Sequence, residues 1–146
     1  MTLELLHAPA TRHEAFKAVD LTKESDRIRL SPAAMRGVVG LAETWKLTAE
    51  QVGDLLGGVP QSTWYAWKNN PPVDLGTDRL TRISLLLGIF SSLRALFAED
   101  IADSWVHRPN TNQLFGGQHP LDVMSQGGIP ALIEVRALLD GRRGGM

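Results

Sequence analysis

The stretch LTAEQVGDLLGGVPQSTWYAWKNN, residues 47–70, decides the fold of this 146-residue chain. Thr48 and Gln51 stand three positions apart, which is the spacing of a capping box that starts a helix by satisfying two free backbone amides. A pair of glycines ends this short helix, and Pro60 precedes a second helix, which two further prolines bring to an end. Two short helices joined by a glycine turn are typical of a helix-turn-helix unit.

The second helix of such a unit lies in the major groove of DNA and reads base edges with its N-terminal side chains. Gln61, which can form two hydrogen bonds to adenine, is predicted to open this helix. The candidate DNA-binding residues are Gln61, Ser62, Thr63, Tyr65, Lys68 and Asn69. Trp64 and Trp67 share another face of the helix, which favours a place in the core over a base-stacking role.

Charge sets the conditions under which this unit binds DNA. The formal net charge is −1, so a general nucleic-acid coat protein is excluded. Arginines near the motif are candidates for phosphate contacts: Arg27, Arg29, Arg36, Arg79 and Arg82. A helical hairpin without a DNA function remains the alternative, because a DNA-reading unit is usually more basic. The neutral charge predicts that one copy binds DNA weakly and that DNA binding depends on a dimer or on a partner.

Helical signals continue on both sides of the unit. Ser31-Pro32 predicts a helix that begins there, since serine caps helices and proline suits the first helical position. Thr77-Asp78 predicts the start of the longest helix, which runs to about Ala98 and is buried over most of its circumference. A line of small residues lets another helix approach it closely: Ser84, Gly88, Ser91 and Ala95. No useful alternating pattern predicts a strand, so the fold class is all-α.

Three more helices are predicted in the C-terminal half. The first spans about residues 99–107, the second begins at Pro120 and ends before Gly127-Gly128, and the last runs from Pro130 to a stop at Gly141. The apolar side of the last helix is assigned to Leu132, Ile133, Val135, Leu138 and Leu139. Residues 142–146, RRGGM, form a flexible cationic tail.

The second informative segment joins these helices and reads WVHRPN at residues 105–110 and FGGQHPLDVM at residues 115–124. Pro109 ends one helix and Pro120 starts the next, while the glycines allow backbone conformations that other residues resist. Asp122 falls in a first helical turn, where the helix dipole favours a carboxylate. The segment therefore specifies at least an ordered loop between helices.

Both segments resemble parts of one known family. GVPQSTWYAW, residues 58–67, resembles the turn and recognition helix of Xre/Cro-type repressors, although the small residue four before the turn glycine falls on Gly53 or Asp54 depending on which glycine makes the turn. The Pro-Asn … Gly-Gly-x-x-Pro-Leu-Asp string resembles the C-terminal toxin-binding domain of Xre/MbcA/ParS antitoxins. The resemblance covers about residues 30–141.

This resemblance implies a non-enzymatic antitoxin. Such proteins neutralise RES-domain toxins, which deplete NAD by hydrolysis, phosphorolysis or ADP-ribosyl transfer, and they bind the operator DNA of their own operon, here as a homodimer. The candidate toxin-binding residues are Trp105, Asn110, Phe115, His119, Arg136, Arg142 and Arg143. We expect an arginine of the tail to enter the toxin's cleft where NAD phosphates would bind, with a solvated tail as the alternative.

The expected organisation is an N-terminal Xre/Cro-like helix-turn-helix part joined by a long central helix to a small helical toxin-binding domain. The boundaries are an arm at 1–26, the helix-turn-helix part at 27–75, the toxin-binding domain at 76–141 and the tail at 142–146. The alternatives are a repressor that acts without a toxin and a purely structural helical adaptor.

Other functional classes lack support in the sequence. No motif of a hydrolase, a nucleotide-binding enzyme or a zinc protease is present, so we expect no catalytic residue and no cofactor. Asp100, Asp103 and His107 share a helix face, as metal ligands would. The preference of the helix dipole for acidic residues in the first turn, together with an i,i+4 side-chain pair, explains them without a metal. The chain lacks cysteine and any apolar run of roughly 20 residues, which predicts a cytoplasmic location and no membrane contact.

Overall fold

The computed structural model describes residues 19–144, and this part of the chain contains α-helices and no strand. The helices are α1 (Glu24–Thr44), α2 (Ala49–Leu55), α3 (Gln61–Asn69), α4 (Thr77–Leu96), α5 (Glu99–Ser104) and α6 (Pro120–Arg143), with a 3₁₀ turn at Trp105–His107. The predicted all-α fold is confirmed. Most of the predicted arm, residues 1–18 of 1–26, lies outside the described residues, as do residues 145–146 of the predicted tail.

The first helix begins earlier than its sequence signal indicates. α1 starts at Glu24, so Pro32 lies inside the helix and Ser31 is not its cap. The Ser31 hydroxyl instead donates to the carbonyl of Arg27 at 2.6 Å and accepts from the amide of Leu75 at 3.0 Å. The bond to Leu75, 44 residues away, ties α1 to the segment before α4, and this long-range bond explains why a capping residue lies inside a helix.

The helix-turn-helix pair forms as predicted. The Thr48 hydroxyl accepts from the amide of Gln51 at 3.1 Å, and the Gln51 side chain accepts from the amide of Thr48 at 2.9 Å, which completes the capping box at the start of α2. α3 follows Pro60 directly. Trp64 is buried, as expected of a core residue, and Trp67 is half-buried under the guanidinium of Arg79.

The central helix α4 organises the whole molecule. It packs against α1 and, more extensively, against α6, and α2 also touches α6. Ile83, Leu86 and Ile89 of α4 are fully buried in a core that extends without a break from α1 to the end of α6. None of the helices within residues 19–144 combines the length and the apolar character that a membrane crossing needs.

The predicted line of small residues on α4 does receive another helix, over part of its length. Gly88 is buried beneath α6, where the guanidinium of Arg136 fills the space that a side chain at position 88 would take. Arg136 also donates to the carbonyl of Ser84 at 3.4 Å. Ala95, by contrast, is exposed, because the close contact shifts from the predicted line to the buried Ser92.

The C-terminal helices differ from the prediction in three places. The helix predicted over 99–107 tightens into the 3₁₀ turn after Ser104. The two predicted last helices form one element, α6, with a kink at Gly128, whose φ of 64° and ψ of −151° break the helical geometry. The predicted stop at Gly141 is wrong, since α6 continues to Arg143, and the two arginines of its last turn complement the helix dipole.

Candidate DNA-binding and toxin-binding surfaces

The turn between α2 and α3 is built on a close backbone approach at Gly53. A Cβ atom at this position would lie 2.1 Å from the carbonyl oxygen of Val59, nearer than atoms can approach. The carbonyl of Gly53 accepts from the amides of Gly58 at 2.8 Å and Val59 at 3.1 Å. Gly57 has a φ of 87° and is the turn glycine four residues on. The sequence left open whether Gly57 or Gly58 is the turn glycine. The structure selects Gly57, with Gly53 as the small residue four positions before it, and Gly58 is an additional residue of the turn.

The candidate DNA-reading residues occupy the outward face of α3. Gln61, Ser62, Lys68 and Asn69 are exposed, and Tyr65 is 56% exposed. The Lys68 ammonium lies 6.0 Å from the centroid of that ring, so one cation and one aromatic ring form a continuous patch. Thr63 is only half-exposed and lies at the edge of this face. The arrangement brings hydrogen-bonding side chains to the surface at the N-terminal end of α3, as base readout requires.

The arginines considered for phosphate contacts divide into engaged and outward-facing groups. The Arg27 side chain donates to both carboxylate oxygens of Asp74, at 3.1 and 3.2 Å. The guanidinium carbon of Arg79 lies over the Trp67 ring, 5.4 Å from its centroid. Arg36 is exposed on α1, where it lines a shallow cavity together with Lys68. Arg36 and Lys68 are thus the cations best placed for a phosphate beside α3.

The pKa of the Asp74 carboxyl lies below its usual range. The amide of Gly76 donates to the carboxylate at 2.8 Å and is the larger cause, and the Arg27 guanidinium adds to it. Both interactions favour the ionised form. They hold the segment between α3 and α4 in place and thereby position the whole recognition unit against α1.

The loop after the 3₁₀ turn is closed by backbone bonds around Asn110. Its amide donates to the carbonyl of Gln118 at 3.1 Å, and its carbonyl accepts from Gly117 at 2.8 Å. The side chains of Asn110 and Asn112 each accept from the amide two residues on, at 2.9 Å. Asn110 therefore shapes the loop at 110–118, and its half-exposed side chain is already engaged.

Two candidate toxin-binding residues lie in the core beneath this loop. Trp105 is 6% and Phe115 2% exposed, and their rings meet edge to face with centroids 5.5 Å apart. A partner cannot touch side chains that are buried to this extent. The structure therefore places Trp105 and Phe115 as supports that hold the loop against α6 and not as direct contacts.

A polar network joins α4 to the C-terminal end of α6. The Ser92 hydroxyl donates to the Asp140 carboxylate at 2.7 Å and accepts from the Arg143 guanidinium at 3.3 Å. Arg136 donates to the same Asp140 at 3.4 Å. Arg143 is therefore a helical residue with a partner and not part of a flexible tail, while Arg142 is exposed beside it.

The exposed side of α6 offers a surface of mixed apolar and polar character that the sequence assignment missed. Ile133, predicted to face the core, is 52% exposed, because it stands about 100° around the helix from the buried Leu132. Glu134, Ala137 and Leu138 lie beside it and line an open groove whose other wall belongs to the loop. Its lining is formed by Asn112, Gln113, Leu114, Glu134, Ala137 and Leu138. We call this surface, with Ile133, the loop–α6 groove.

His119 stands at the start of α6, near the same loop. Its side chain is 47% exposed, and Nδ1 lies 3.6 Å from the Asp122 carboxylate. His119 precedes Pro120, so its backbone is extended and the ring projects from the helix N-terminus. Of the candidate toxin-binding residues, His119 and Arg142 are exposed, and Arg143 is exposed but bonded to Ser92.

The DNA-reading and toxin-binding parts share a junction at Arg82 of α4. Its side chain is 16% exposed and donates to Asp78 at 2.8 Å. The guanidinium lies against Gly57 of the turn, where an added Cβ would come within 2.9 Å, and it faces Gly128 at the α6 kink. His107 adds a second link, since its Nε2 lies 2.6 Å from the carbonyl oxygen of Trp45 at the end of α1. Sequence reasoning missed both links because they join residues distant in the chain.

Two of the three residues weighed as a metal site, Asp103 and His107, have other partners. Arg94 donates to both oxygens of Asp103 at 2.7 and 2.8 Å, and these bonds raise the pKa of Arg94. His107 is bound to the Trp45 carbonyl. Within residues 19–144, no three His, Asp or Glu side chains gather in a way that could hold a metal ion.

Comparison with known proteins assigns both halves of the chain. Residues 24–88 match the family model of the antitoxin Xre-like helix-turn-helix domain. Residues 92–145 match that of the antitoxin Xre/MbcA/ParS C-terminal toxin-binding domain. A protein of Sinorhizobium fredii (strain NBRC 101917 / NGR234), called "Uncharacterized protein y4oB", is 38% identical over 122 residues, which are 83% of this chain and 92% of that protein.

Proposed function

Because the chain belongs to the antitoxins that join an Xre-like helix-turn-helix domain to an Xre/MbcA/ParS C-terminal toxin-binding domain, we propose that it neutralises a RES-type, NAD-degrading toxin and represses its own operon as a homodimer. The observation that carries the proposal is that one continuous core supports both an outward-facing recognition helix, α3, and the partly apolar loop–α6 groove. A repressor that acts alone would need only the first of these surfaces.

The toxin-binding half of the proposal rests on the loop–α6 groove. Ile133 is the large apolar side chain that this surface exposes most, and exposed aliphatic residues beside a groove are typical contacts for a protein partner. His119 and Arg142 supply polar contacts in the proposal, while Trp105 and Phe115 keep the loop in shape. Arg142, in the last turn of α6, is the arginine that would reach the NAD-phosphate position of the toxin.

The DNA-binding half rests on the exposed face of α3. Gln61 and Ser62 would contact base edges, with Tyr65 and Asn69 farther along the helix and Thr63 at the edge of the contact. Lys68 would bind a phosphate. The neutral net charge supports dependence on two copies, because each copy neutralises few phosphates.

The junction at Arg82 supports coupling between the two activities. The proposed domain boundary at residues 75/76 divides the DNA-binding surface from the toxin-binding surface. Both parts nevertheless share one hydrophobic core, since α4 packs against both α1 and α6. A shift of the α6 kink on toxin binding would reach the α2–α3 turn through Arg82 and change the affinity for DNA.

The experiment that tests the proposal is a growth rescue. The product of the gene next to this chain's own, which the proposal identifies as a RES-domain toxin, is produced in a bacterial host alone, with the wild-type chain, and with the Ile133→Asp variant. We expect the wild-type chain to restore growth and Ile133→Asp to fail, because a buried carboxylate in the interface would cost several kcal/mol unless it is paired.

Ile101→Asp is the matched control. Ile101 of α5 is also partly exposed, at 39%, but lies outside the loop–α6 groove. This variant should rescue growth like the wild-type chain. Failure of the wild-type chain itself to rescue growth would contradict the toxin partner and would favour a repressor that acts alone.

A further inference from the structure

The outward face of α1 carries two opposite charges that have no partner among residues 19–144. Arg36 and Glu43 are both exposed, and neither forms an ion pair with another described residue. They stand seven residues apart on one side of the helix, with Val39 and Gly40 midway between them. One side of α1 therefore presents a positive and a negative end about a common centre.

Shallow grooves flank this centre on both sides. The groove between α1 and α4 has a volume of about 270 Å³ and is lined mainly by Leu41, Leu87 and Phe90. The other lies between α1 and the end of α3, has a volume of about 420 Å³, and includes Met35, Val39 and Trp67. Both grooves reach Gly40.

Gly40 itself leaves the centre of the face open. A Cβ atom built there meets nothing within 4 Å, so the described part of the chain gives no packing reason for a glycine at this position. Glycine in a helix interior is destabilising relative to alanine. A close approach by something outside the protomer would account for it.

We infer that this face of α1 is the surface on which a second copy of the chain docks, with the two α1 helices antiparallel about a two-fold axis between Val39 and Gly40. This proposal rests on the homodimer of the proposed function and names its interface. Such an axis pairs position 36 of one copy with position 43 of the other, so Arg36 meets the partner's Glu43 twice by symmetry.

The reach of the side chains fits this pairing. Each charged residue lies 3.5 residues from the axis, which is about 5 Å along the helix at 1.5 Å per residue. Arginine and glutamate side chains are long enough to meet across the interface at either of the two common helix-crossing angles. A parallel arrangement would instead place like charges together. The charge pattern therefore selects an antiparallel second copy as the occupant.

The proposed interface leaves the loop–α6 groove and the base-reading N-terminal end of α3 available, but it engages Arg36 and borders Lys68, the two cations beside α3. The groove beside α3 involves Trp67, Lys68 and Pro71 at the C-terminal end of that helix, and Gln61 and Ser62 are not part of it. None of the residues that line the loop–α6 groove takes part. A dimer formed in this way can hold two recognition helices and two toxins.

The test is the self-association of the purified full-length chain, measured by sedimentation velocity over a range of concentrations. Arg36→Glu and Glu43→Arg each place two like-charge pairs across the interface, and we expect each to raise the dimer dissociation constant about tenfold. The double variant, Arg36→Glu with Glu43→Arg, exchanges the charges and should restore the wild-type value. Lys23→Glu, an exposed change of the same size at the start of α1, should leave the constant unchanged.

A second variant separates interface effects from folding. Gly40→Gln should weaken the dimer at least tenfold without lowering the melting temperature of the monomer, measured below the dimer dissociation constant, because no described residue occupies the space at Gly40. Charge-reversed variants that dimerise like the wild-type chain would overturn the interface and leave the proposed homodimer standing. A wild-type chain that stays monomeric at all concentrations would overturn both, while growth rescue reports the toxin partner separately.

Discussion

Substitution of Gly53 by alanine is predicted to disrupt the helix-turn-helix unit. The new Cβ would lie 2.1 Å from the Val59 carbonyl oxygen, so the turn must move by about 1 Å to reach an allowed contact. That movement breaks the hydrogen bonds from the amides of Gly58 and Val59 to the Gly53 carbonyl. Because the obstacle is backbone, no side-chain rotation can relieve it.

The magnitude follows from three contributions. Two lost hydrogen bonds cost about 2 kcal/mol, and overpacking in a well-packed site costs roughly 1–3 kcal/mol. The higher helix propensity of alanine returns about 1 kcal/mol. The net loss is about 2–4 kcal/mol, which lowers the melting temperature of a chain of this size by roughly 6–12 °C.

Gly88→Ala provides the matched control in thermal denaturation followed by circular dichroism. Its Cβ would lie 2.3 Å from Cζ of Arg136, almost as close, but the obstacle is the end of a flexible side chain that can swing away. We expect the melting temperature of Gly88→Ala to change by less than about 3 °C. A Gly53→Ala protein as stable as the wild-type chain would refute the described turn.

Three further predictions concern other surfaces. The double variant Gln61→Ala, Lys68→Ala should weaken binding to the operon's upstream DNA at least tenfold in a salt-titrated gel shift, and unchanged binding would contradict the α3 assignment. Because the pKa of Asp74 is lowered on folding, its ionised form adds stability above about pH 4 that is lost as the pH falls through the folded pKa. Asp74→Asn should therefore lower the melting temperature at pH 7 and matter progressively less below pH 4, and an equal effect at both would argue against ionisation as the cause. Asp140→Ala, which removes the acceptor of the buried Ser92 hydroxyl, should cost about 1–3 kcal/mol in denaturant unfolding, and no change in the midpoint would contradict the α4–α6 network.

Features with local causes could be predicted from the sequence. The Thr48–Gln51 capping box, the start of α3 after Pro60 and the break near Gly128 each depend on residues a few positions apart. Helix caps, prolines and glycines act through backbone geometry that neighbouring residues determine. The outward face of α3 follows from the same local information once the helix is placed.

Features with long-range causes could not be predicted in this way. Ser31 has the sequence context of a cap, but its hydroxyl bonds the amide of Leu75, which only the folded chain brings near. Trp105 and Phe115 belong to a distinctive motif, yet their mutual packing buries them. The contact of Arg82 with the α2–α3 turn likewise exists only after α4 has docked.

The most direct test of the central claim is a titration of NAD consumption. The purified product of the gene beside this chain's own, the proposed RES-domain toxin, is given NAD, and the rate of NAD loss is measured as the full-length chain is added. We predict that the rate falls to zero at a fixed molar ratio and that Ile133→Asp shifts this end point to a large excess. A rate that stays constant at every ratio of the wild-type chain would contradict the account.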